Sequence, residues 1–358
     1  MNQSRLFLVF CFFSVLGTLT RLGVTLLSQY PGTYLAGIVW SNFTACFLMG
    51  TFVHSAKIWN LFLHQDNGTD EVLLEEIKGK SINRKKYHTK KDIYLFTGLT
   101  TGYCGSFSSF SSLILELFLL TANVDSTVYK FRNPAYGLLQ FLSILITQLT
   151  MSYAGFKYGK QLILYVEEYW LPEYSFSQKA VNIYHILEIV IEGLGFAFMV
   201  VSLVLTIVEK TWRSWTFAFL FSPFACYLRY YLSKVLNNPQ GDKSGMTFTK
   251  LDYLGTFAAN IIATLVLAIV TLLSRGKTIH TSNHLITNVL DCHVLTAVAN
   301  GFCGVLSTVS TFIVEVNTLK FDKSSWYVFV SIGGSFCLMV LILGSYNWRV
   351  GLLSEPVC

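Results

Sequence analysis

Long apolar stretches separated by short polar connections limit what this chain can fold into. A helix needs about 20 consecutive apolar residues to cross a hydrocarbon core of about 30 Å. The sequence is 53% hydrophobic and 13% charged, whereas soluble domains carry about 25% charged residues. It therefore predicts an all-α integral membrane protein. The nine predicted transmembrane helices lie at about residues 5–27, 34–56, 93–120, 136–154, 184–208, 213–233, 251–274, 291–315 and 325–347.

Most Lys and Arg residues lie in short loops between the apolar stretches. The net charge of +6 therefore suits membrane orientation better than binding to nucleic acid. Basic residues are more numerous in the loops on the same side as the N-terminus, which predicts a cytoplasmic N-terminus and an extracellular C-terminus. The long polar stretch at 57–92 is then cytoplasmic, and its segment Glu71–Lys80 fits a short amphipathic helix.

Motifs typical of enzymes are absent from the sequence. It contains no nucleophile–base pair, no HExxH, no phosphate-binding loop and no dinucleotide fingerprint. The seven histidines are scattered. We therefore do not expect an enzyme.

An internal repeat relates the two parts of the chain. Residues 102–116 read GYCGSFSSFSSLILE, and residues 301–315 read GFCGVLSTVSTFIVE. The upstream matches are Arg21 with Arg229, Gly37 with Gly255, and Asn42 with Asn260. Each repeat is predicted to contain four spans. We call residues 1–160 the first repeat and residues 211–358 the second repeat.

The number of spans between the repeats determines their relative orientation. Four spans return the chain to the side where it began, so two directly joined repeats would be parallel. The fifth span, within residues 161–210, has no counterpart and reverses the second repeat. We therefore predict two inverted repeats, joined by a linker helix that carries Glu188 and Glu192.

The Gly- and Ser-rich segments fall in the third span of each repeat, where such clusters loosen a helix. Backbone groups freed inside a membrane must be satisfied internally, by water or by an ion. Two facing breaks would offer four carbonyls to one cation, such as sodium, although close helix packing through small residues explains the pattern equally well. The candidate carbonyls belong to Gly105, Ser108, Gly304 and Ser307.

Polar and charged residues within the spans are candidates for contact with an ion: Asn42, Asn260, Arg21, Arg229, Glu116 and Glu315. An intramembrane amide either links helices or replaces the hydration of an anion, and the recurrence of the pair favours the anion. The arginines either extend toward a membrane surface or line vestibules that concentrate anions. The glutamates either pair with an arginine or shape a vestibule.

The repeats differ where aromatic rings would meet an anion through their electropositive edges. Phe110 corresponds to Val309, and Leu113 corresponds to Phe312. Phenylalanine is abundant in this sequence, so core packing explains any one of these rings alone.

The segments GYCGSFSSFSS and GFCGVLSTVSTF resemble the third-helix signature G-F-C-G-G-F-T-T-F-S-T-F of the CrcB/Fluc/FEX fluoride channel family. The resemblance covers nearly the whole chain. Bacterial members are four-span proteins that pair as antiparallel dimers with two pores, and eukaryotic members join two such units through an extra helix. The chain is thus similar to fungal exporters of the plasma membrane. It is expected to act as a monomer with fluoride, sodium and lipid as its partners.

The resemblance also implies roles for individual residues. A structural sodium ion is expected at the carbonyls of Gly105, Ser108, Gly304 and Ser307. Vestibule positions are expected for Arg21, Arg229, Glu116 and Glu315. The expected pore-lining residues are Asn42, Asn260, Phe110, Phe312, Ser111, Ser310, Tyr327, Ser331 and Ser335.

The two pores are not expected to be equivalent. Each pore of the family takes one Phe from each unit, so Phe110 would pair with Phe312, and Val309 with Leu113. The polar series of the fourth helix matches Tyr327, Ser331 and Ser335 in the second repeat, whereas the first repeat offers Tyr136, Gln140 and Ile144. The resemblance therefore implies one intact pore and one degenerate pore.

Passive conduction is the mechanism that the resemblance implies. Fluoride would shed most of its water at a large cost, and amides, hydroxyls and ring edges would replace that shell. A secondary transporter, such as a fluoride/proton antiporter using Glu116 or Glu315, is the main alternative. A third alternative is a receptor or structural membrane protein, in which the helix breaks serve only the packing of helices.

Overall fold

A computed structural model describes residues 2–30, 33, 35, 37–60, 62–63, 87–124, 133, 135–170, 178–237, 253–278 and 283–356. Across these residues the regular structure is helical, with three isolated β-bridges. The predicted amphipathic helix at Glu71–Lys80 lies outside the described residues. The helices are α1 (Gln3–Leu27), α2 (Val39–His54), α3 (Lys57–Asn60), α4 (Tyr94–Thr121), α5 (Ala135–Tyr169), α6 (Gln178–Val208), α7 (Arg213–Leu236), α8 (Leu254–Arg275), α9 (Val289–Thr318) and α10 (Phe321–Arg349).

Seven of these helices are long and apolar enough to cross a membrane: α1, α4, α5, α6, α8, α9 and α10. Helix α2 has 16 residues, and α7 carries charged residues at both ends and Pro223 inside. The helical, membrane-protein character of the prediction is therefore confirmed. The number of nine spans and the inversion of the repeats stay predictions.

Helices α4 and α9 are interrupted at equivalent places. Each contains a π-helical segment, Gly98–Cys104 or Val298–Cys303, followed by one short α-helical turn. The chain then becomes extended at Ser108 and Ser307, with ψ angles of 154° and 152°. A helix restarts at once, because Ser109 and Thr308 cap its new N-terminus through their side chains. Loosened helices are thus the structural result of the Gly/Ser-rich sequence.

Small residues let α5 lie directly against α2. A Cβ atom on Gly155 would lie 2.6 Å from the carbonyl oxygen of Phe43. Gly50 and Gly159 likewise face backbone of the opposite helix, at Phe156 and Phe47. The close approach fixes the register of α5, which extends well beyond the predicted end at residue 154.

Helix α6 packs against α1 and α7, outside the region where the two breaks meet. Gly195 lies against the backbone of Leu8. Arg5 at the start of α1 pairs with Glu192 at 2.6 Å and lies 3.7 Å from Glu188. The two acids predicted on the linker therefore help to attach it to the first repeat.

Candidate ion pathway at the paired helix breaks

The breaks of α4 and α9 meet, and each satisfies backbone groups of the other. The amide of Ser111 donates to Ser307 Oγ at 3.0 Å, and the amide of Ser310 donates to Ser108 Oγ at 3.1 Å. The hydroxyls of Ser111 and Ser310 donate in turn to Cys303 O and Cys104 O, at 3.2 Å and 3.1 Å. All four serines are fully buried. They therefore form a reciprocal junction between the repeats.

Asn42 and Asn260 stabilise the restarted helices. Their side-chain oxygens accept from the amides of Ser109 and Thr308, at 2.9 Å and 2.8 Å. Their NH₂ groups make longer contacts, since Asn260 donates to Thr308 O at 3.3 Å and Asn42 donates to Gln148 Oε1 at 3.4 Å. The oxygen of each amide thus serves the fold, while the NH₂ group still has a donor to offer.

Arg21 lies buried at the centre of the junction, with 2% of its surface exposed. Its Nη1 donates to Ser106 O at 2.8 Å and to Gly304 O at 2.5 Å. Its Nη2 donates to Asn300 O. Arg21 therefore bonds one carbonyl in its own repeat and two in the other repeat.

Arg229 makes the matching contacts from the second repeat and is also 2% exposed. Its Nη1 donates to Gly105 O at 2.9 Å and to Val305 O, with a longer contact of 3.5 Å to Ser307 O. Its Nη2 donates to Thr101 O at 2.5 Å. The structure places both arginines at the breaks and not at an open vestibule, which corrects their predicted location.

Three of the four predicted sodium ligands accept hydrogen bonds from these guanidinium groups. These are the carbonyls of Gly105, Gly304 and Ser307. A sodium ion would have to displace those donors and lie beside two fixed positive charges, which Coulomb repulsion opposes. The residues at the breaks therefore do not fit a bound sodium ion in this arrangement.

Alanine at Gly105 or Gly304 is expected to destabilise the protein. A Cβ atom on Gly105 would overlap Arg229 Nη2, and one on Gly304 would lie 2.6 Å from Arg21 Nη2. Overpacking of this kind costs about 1–3 kcal/mol, which should lower the melting temperature in detergent. Gly193→Ala is the matched control, because nothing lies within 4 Å of its Cβ position. An unchanged melting temperature in both break variants would contradict this packing.

Phe110 and Phe312, which the family resemblance assigns to one pore, are in contact. Their ring centroids are 5.4 Å apart, with an interplanar angle of 61°. The ring of Tyr327 lies 5.1 Å from Phe312. Leu113 and Val309 are buried in the same apolar core. The three aromatic rings form a continuous row, which we call the aromatic row.

Glu315 and Glu116 lie near the starts of α8 and α2. Glu315 is 5% exposed and accepts from Thr256 Oγ1 at 2.5 Å and from Tyr327 OH at 2.7 Å. Glu116 accepts from the amide of Ile38 at 3.2 Å. A carboxylate at a helix N-terminus is stabilised by the helix dipole. Glu315 is therefore buried beside the aromatic row and does not line an open vestibule, where it was expected.

Ser331 and Ser335 follow Tyr327 along one row of α10. Successive residues four apart lie on neighbouring turns of one helix face. Both serines are fully buried, and neither hydroxyl has a hydrogen-bond partner among the described residues. A buried hydroxyl without a partner is costly, so these two donors are available to a ligand.

Sequence reasoning missed the polar residues of α5 that face the interior. Gln148 is 1% exposed and donates to Glu116 Oε2 at 3.3 Å. Ser152, one turn later, is fully buried. The predicted Tyr136 is 51% exposed. The polar residues of the first repeat that face the interior are therefore Gln148 and Ser152. Their spacing of four residues is the sequence feature that could have identified them.

Comparison with known proteins shows two regions of similarity in one chain. The family model described as CrcB-like protein, Camphor Resistance (CrcB), matches residues 8–156 and 216–344. Fluoride export protein 1 of Candida albicans is 43% identical over 95% of this chain and 79% of its own length. Fluoride export protein 1 of Saccharomyces cerevisiae is 32% identical over 99% of this chain and 96% of its own length. No solved structure matches the chain.

Proposed function

Because this chain belongs to the CrcB family, we infer that it exports fluoride across a membrane. The family model matches the two repeats separately, and curated relatives that match most of the chain are named fluoride export proteins. The family resemblance read from the Gly/Ser segments is thereby confirmed. The relatives' names denote transport and not catalysis.

We propose that export occurs by passive conduction along the aromatic row. The observation that carries this proposal is the continuity of Phe110, Phe312 and Tyr327 with two unpartnered hydroxyls on α10. Ring edges are electropositive, and hydroxyls donate hydrogen bonds. Together they supply sites that suit a small dehydrated anion.

The surroundings of this row would replace the hydration shell of fluoride. Losing that shell is costly for so small an ion, and selectivity then depends on how well the donors fit. Asn260 adds an NH₂ group next to the break of α9. We propose this path as the intact pore. Leu113 and Val309 bring no ring edges to the equivalent path beside Asn42, which we propose is degenerate.

The same proposal includes the architecture predicted above. Nine transmembrane helices would form two inverted repeats with α6 as the linker, since α6 lies between the two family matches. The N-terminus would be cytoplasmic and the C-terminus extracellular in the plasma membrane. The reciprocal bonds between the breaks support a chain that works as a monomer, because both repeats are already present in one polypeptide.

Purified protein in liposomes tests passive conduction. We expect a potassium diffusion potential, set with valinomycin, to drive fluoride efflux at equal pH on both sides. With equal fluoride concentrations on both sides, efflux should follow the voltage and stop when the voltage is removed. A fluoride electrode outside the vesicles measures it, with protein-free liposomes as the control. Efflux that requires a pH gradient would reject the channel.

A fluoride/proton antiporter is the second candidate, and the burial of Glu315 beside Tyr327 favours it. Glu315→Gln distinguishes the two mechanisms. In a channel, the neutral amide still accepts from Tyr327, so voltage-driven fluoride efflux should persist. In an antiporter, loss of the titrating carboxylate should abolish coupling to a pH gradient.

A further inference from the structure

The central arginines bond to equivalent carbonyls in the two repeats. Arg21 reaches Asn300 and Gly304 in the second repeat, and Arg229 reaches Thr101 and Gly105 in the first. We propose that this pair of guanidinium groups replaces a bound cation at the breaks, so that the protein assembles and conducts without sodium. The inference about conduction rests on the proposed function.

The first argument concerns hydrogen-bond satisfaction. A helix break frees carbonyl oxygens that have no water to bond inside a membrane. A guanidinium group carries five N–H donors in a rigid plane and remains charged when buried. Arg229 alone contacts four backbone carbonyls from both breaks. The arginines thus do what a coordinated metal ion would do, which is to draw carbonyls of two helices toward one positive charge.

The second argument concerns electrostatics. Among the described residues, Arg5 and His185 form ion pairs with Glu188 or Glu192 near the start of α1. The contacts of Arg21 and Arg229 given above are to carbonyl dipoles, with one sulfur contact from Arg229 to Cys226 at 3.8 Å. Two positive charges therefore act on the centre of the protein. They disfavour a third cation, and their field stabilises an anion nearby.

The third argument comes from the glycines at the breaks. The space where a Cβ atom of Gly105 or Gly304 would lie is occupied by a guanidinium group from the opposite repeat. Glycine is therefore needed at these positions because an arginine side chain approaches the backbone. The Arg and Gly positions form one unit that recurs twice in the chain.

Sodium dependence of the unaltered protein tests the proposal. We expect the fluoride current across a planar bilayer to be the same with N-methylglucamine as the only cation as with sodium. The melting temperature in detergent should also be unchanged by sodium, since an ion that binds the folded state raises it. Loss of current without sodium, or a sodium-dependent rise in melting temperature, would overturn the proposal.

Variants of Arg229 separate this role from simple packing. In Arg229→Ala the carbonyls lose their donors, so we expect sodium to raise the melting temperature of this variant and not that of the unaltered protein. Arg229→Lys restores a charge and should reduce that sodium response. An Arg229→Ala protein that folds and melts identically with and without sodium would contradict the proposed replacement.

A complete absence of fluoride current would test the proposed function and not the role of the arginines. If no fluoride current appears in either cation, the proposed function fails, while the melting measurements still decide the role of the arginines. If an alanine variant does not fold, the comparison of cations on the unaltered protein gives the answer alone.

Discussion

Replacing Phe312 with isoleucine is expected to reduce fluoride flux by about 10- to 100-fold, equivalent to about 1.4–2.8 kcal/mol. The ring of Phe312 lies between Phe110 and Tyr327, so its loss removes the middle of the aromatic row. Isoleucine keeps the site apolar and filled, and the change therefore removes a ring edge more than a packing contact. Initial efflux rates from liposomes measure the effect. Phe110→Ile should behave in the same way.

The equivalent positions of the other repeat provide matched controls. Leu113 aligns with Phe312, and Val309 aligns with Phe110; both are buried. Leu113→Ile keeps the side-chain volume and Val309→Ala adds none, and both should leave flux nearly unchanged. Equal losses in all four variants would mean that the two paths are equivalent, and the model of one intact pore would be wrong.

Asn260→Asp is expected to abolish flux while leaving the fold in place. An aspartate oxygen can still accept the Thr308 amide bond that Asn260 makes at 2.8 Å. A negative charge beside fluoride would cost about 4 kcal/mol at 4 Å and an effective dielectric of about 20, a loss of about 1000-fold. A protonated aspartate would still lack the NH₂ group. Efflux rates and the melting temperature should be measured together.

Asn42→Asp is the control for this change. Asn42 makes the same bond to the amide of Ser109, at 2.9 Å, but lies on the path that lacks the aromatic row. We expect its flux to remain within about threefold of the unaltered protein, a change below about 0.7 kcal/mol. Similar losses in both variants would show that the amides act only through the fold.

The internal repeat identified the two segments that contain the helix breaks. In the structure these segments meet through crossed pairs, Ser111 with Ser307 and Ser310 with Ser108, because each break satisfies backbone groups of the other. The burial of the arginines could not be predicted, since their acceptors include carbonyls 85 and 283 residues away in sequence. A single sequence does not reveal such distant partners.

The residues of α5 that face the interior were harder to predict from the sequence, for a different reason. Tyr136 and Gln148 belong to the same row of residues four apart, yet the first is exposed and the second is buried. Four residues turn a helix by about 40° beyond one full turn, so three such steps rotate the row by about 120°. The prediction began at the wrong turn, because the loop before α5 is much longer than the one before α10.

The crossed serines at the two breaks have a consequence for biosynthesis. Ser111 and Ser310 find acceptors and donors 192–206 residues away in the chain. At about 5–20 residues per second of synthesis, the break of α9 is synthesised on the order of 10–40 s after the break of α4. A nascent first repeat therefore holds unsatisfied backbone groups in the bilayer and is exposed to quality control. Neither repeat expressed alone should accumulate, whereas co-expression of the two should rescue both.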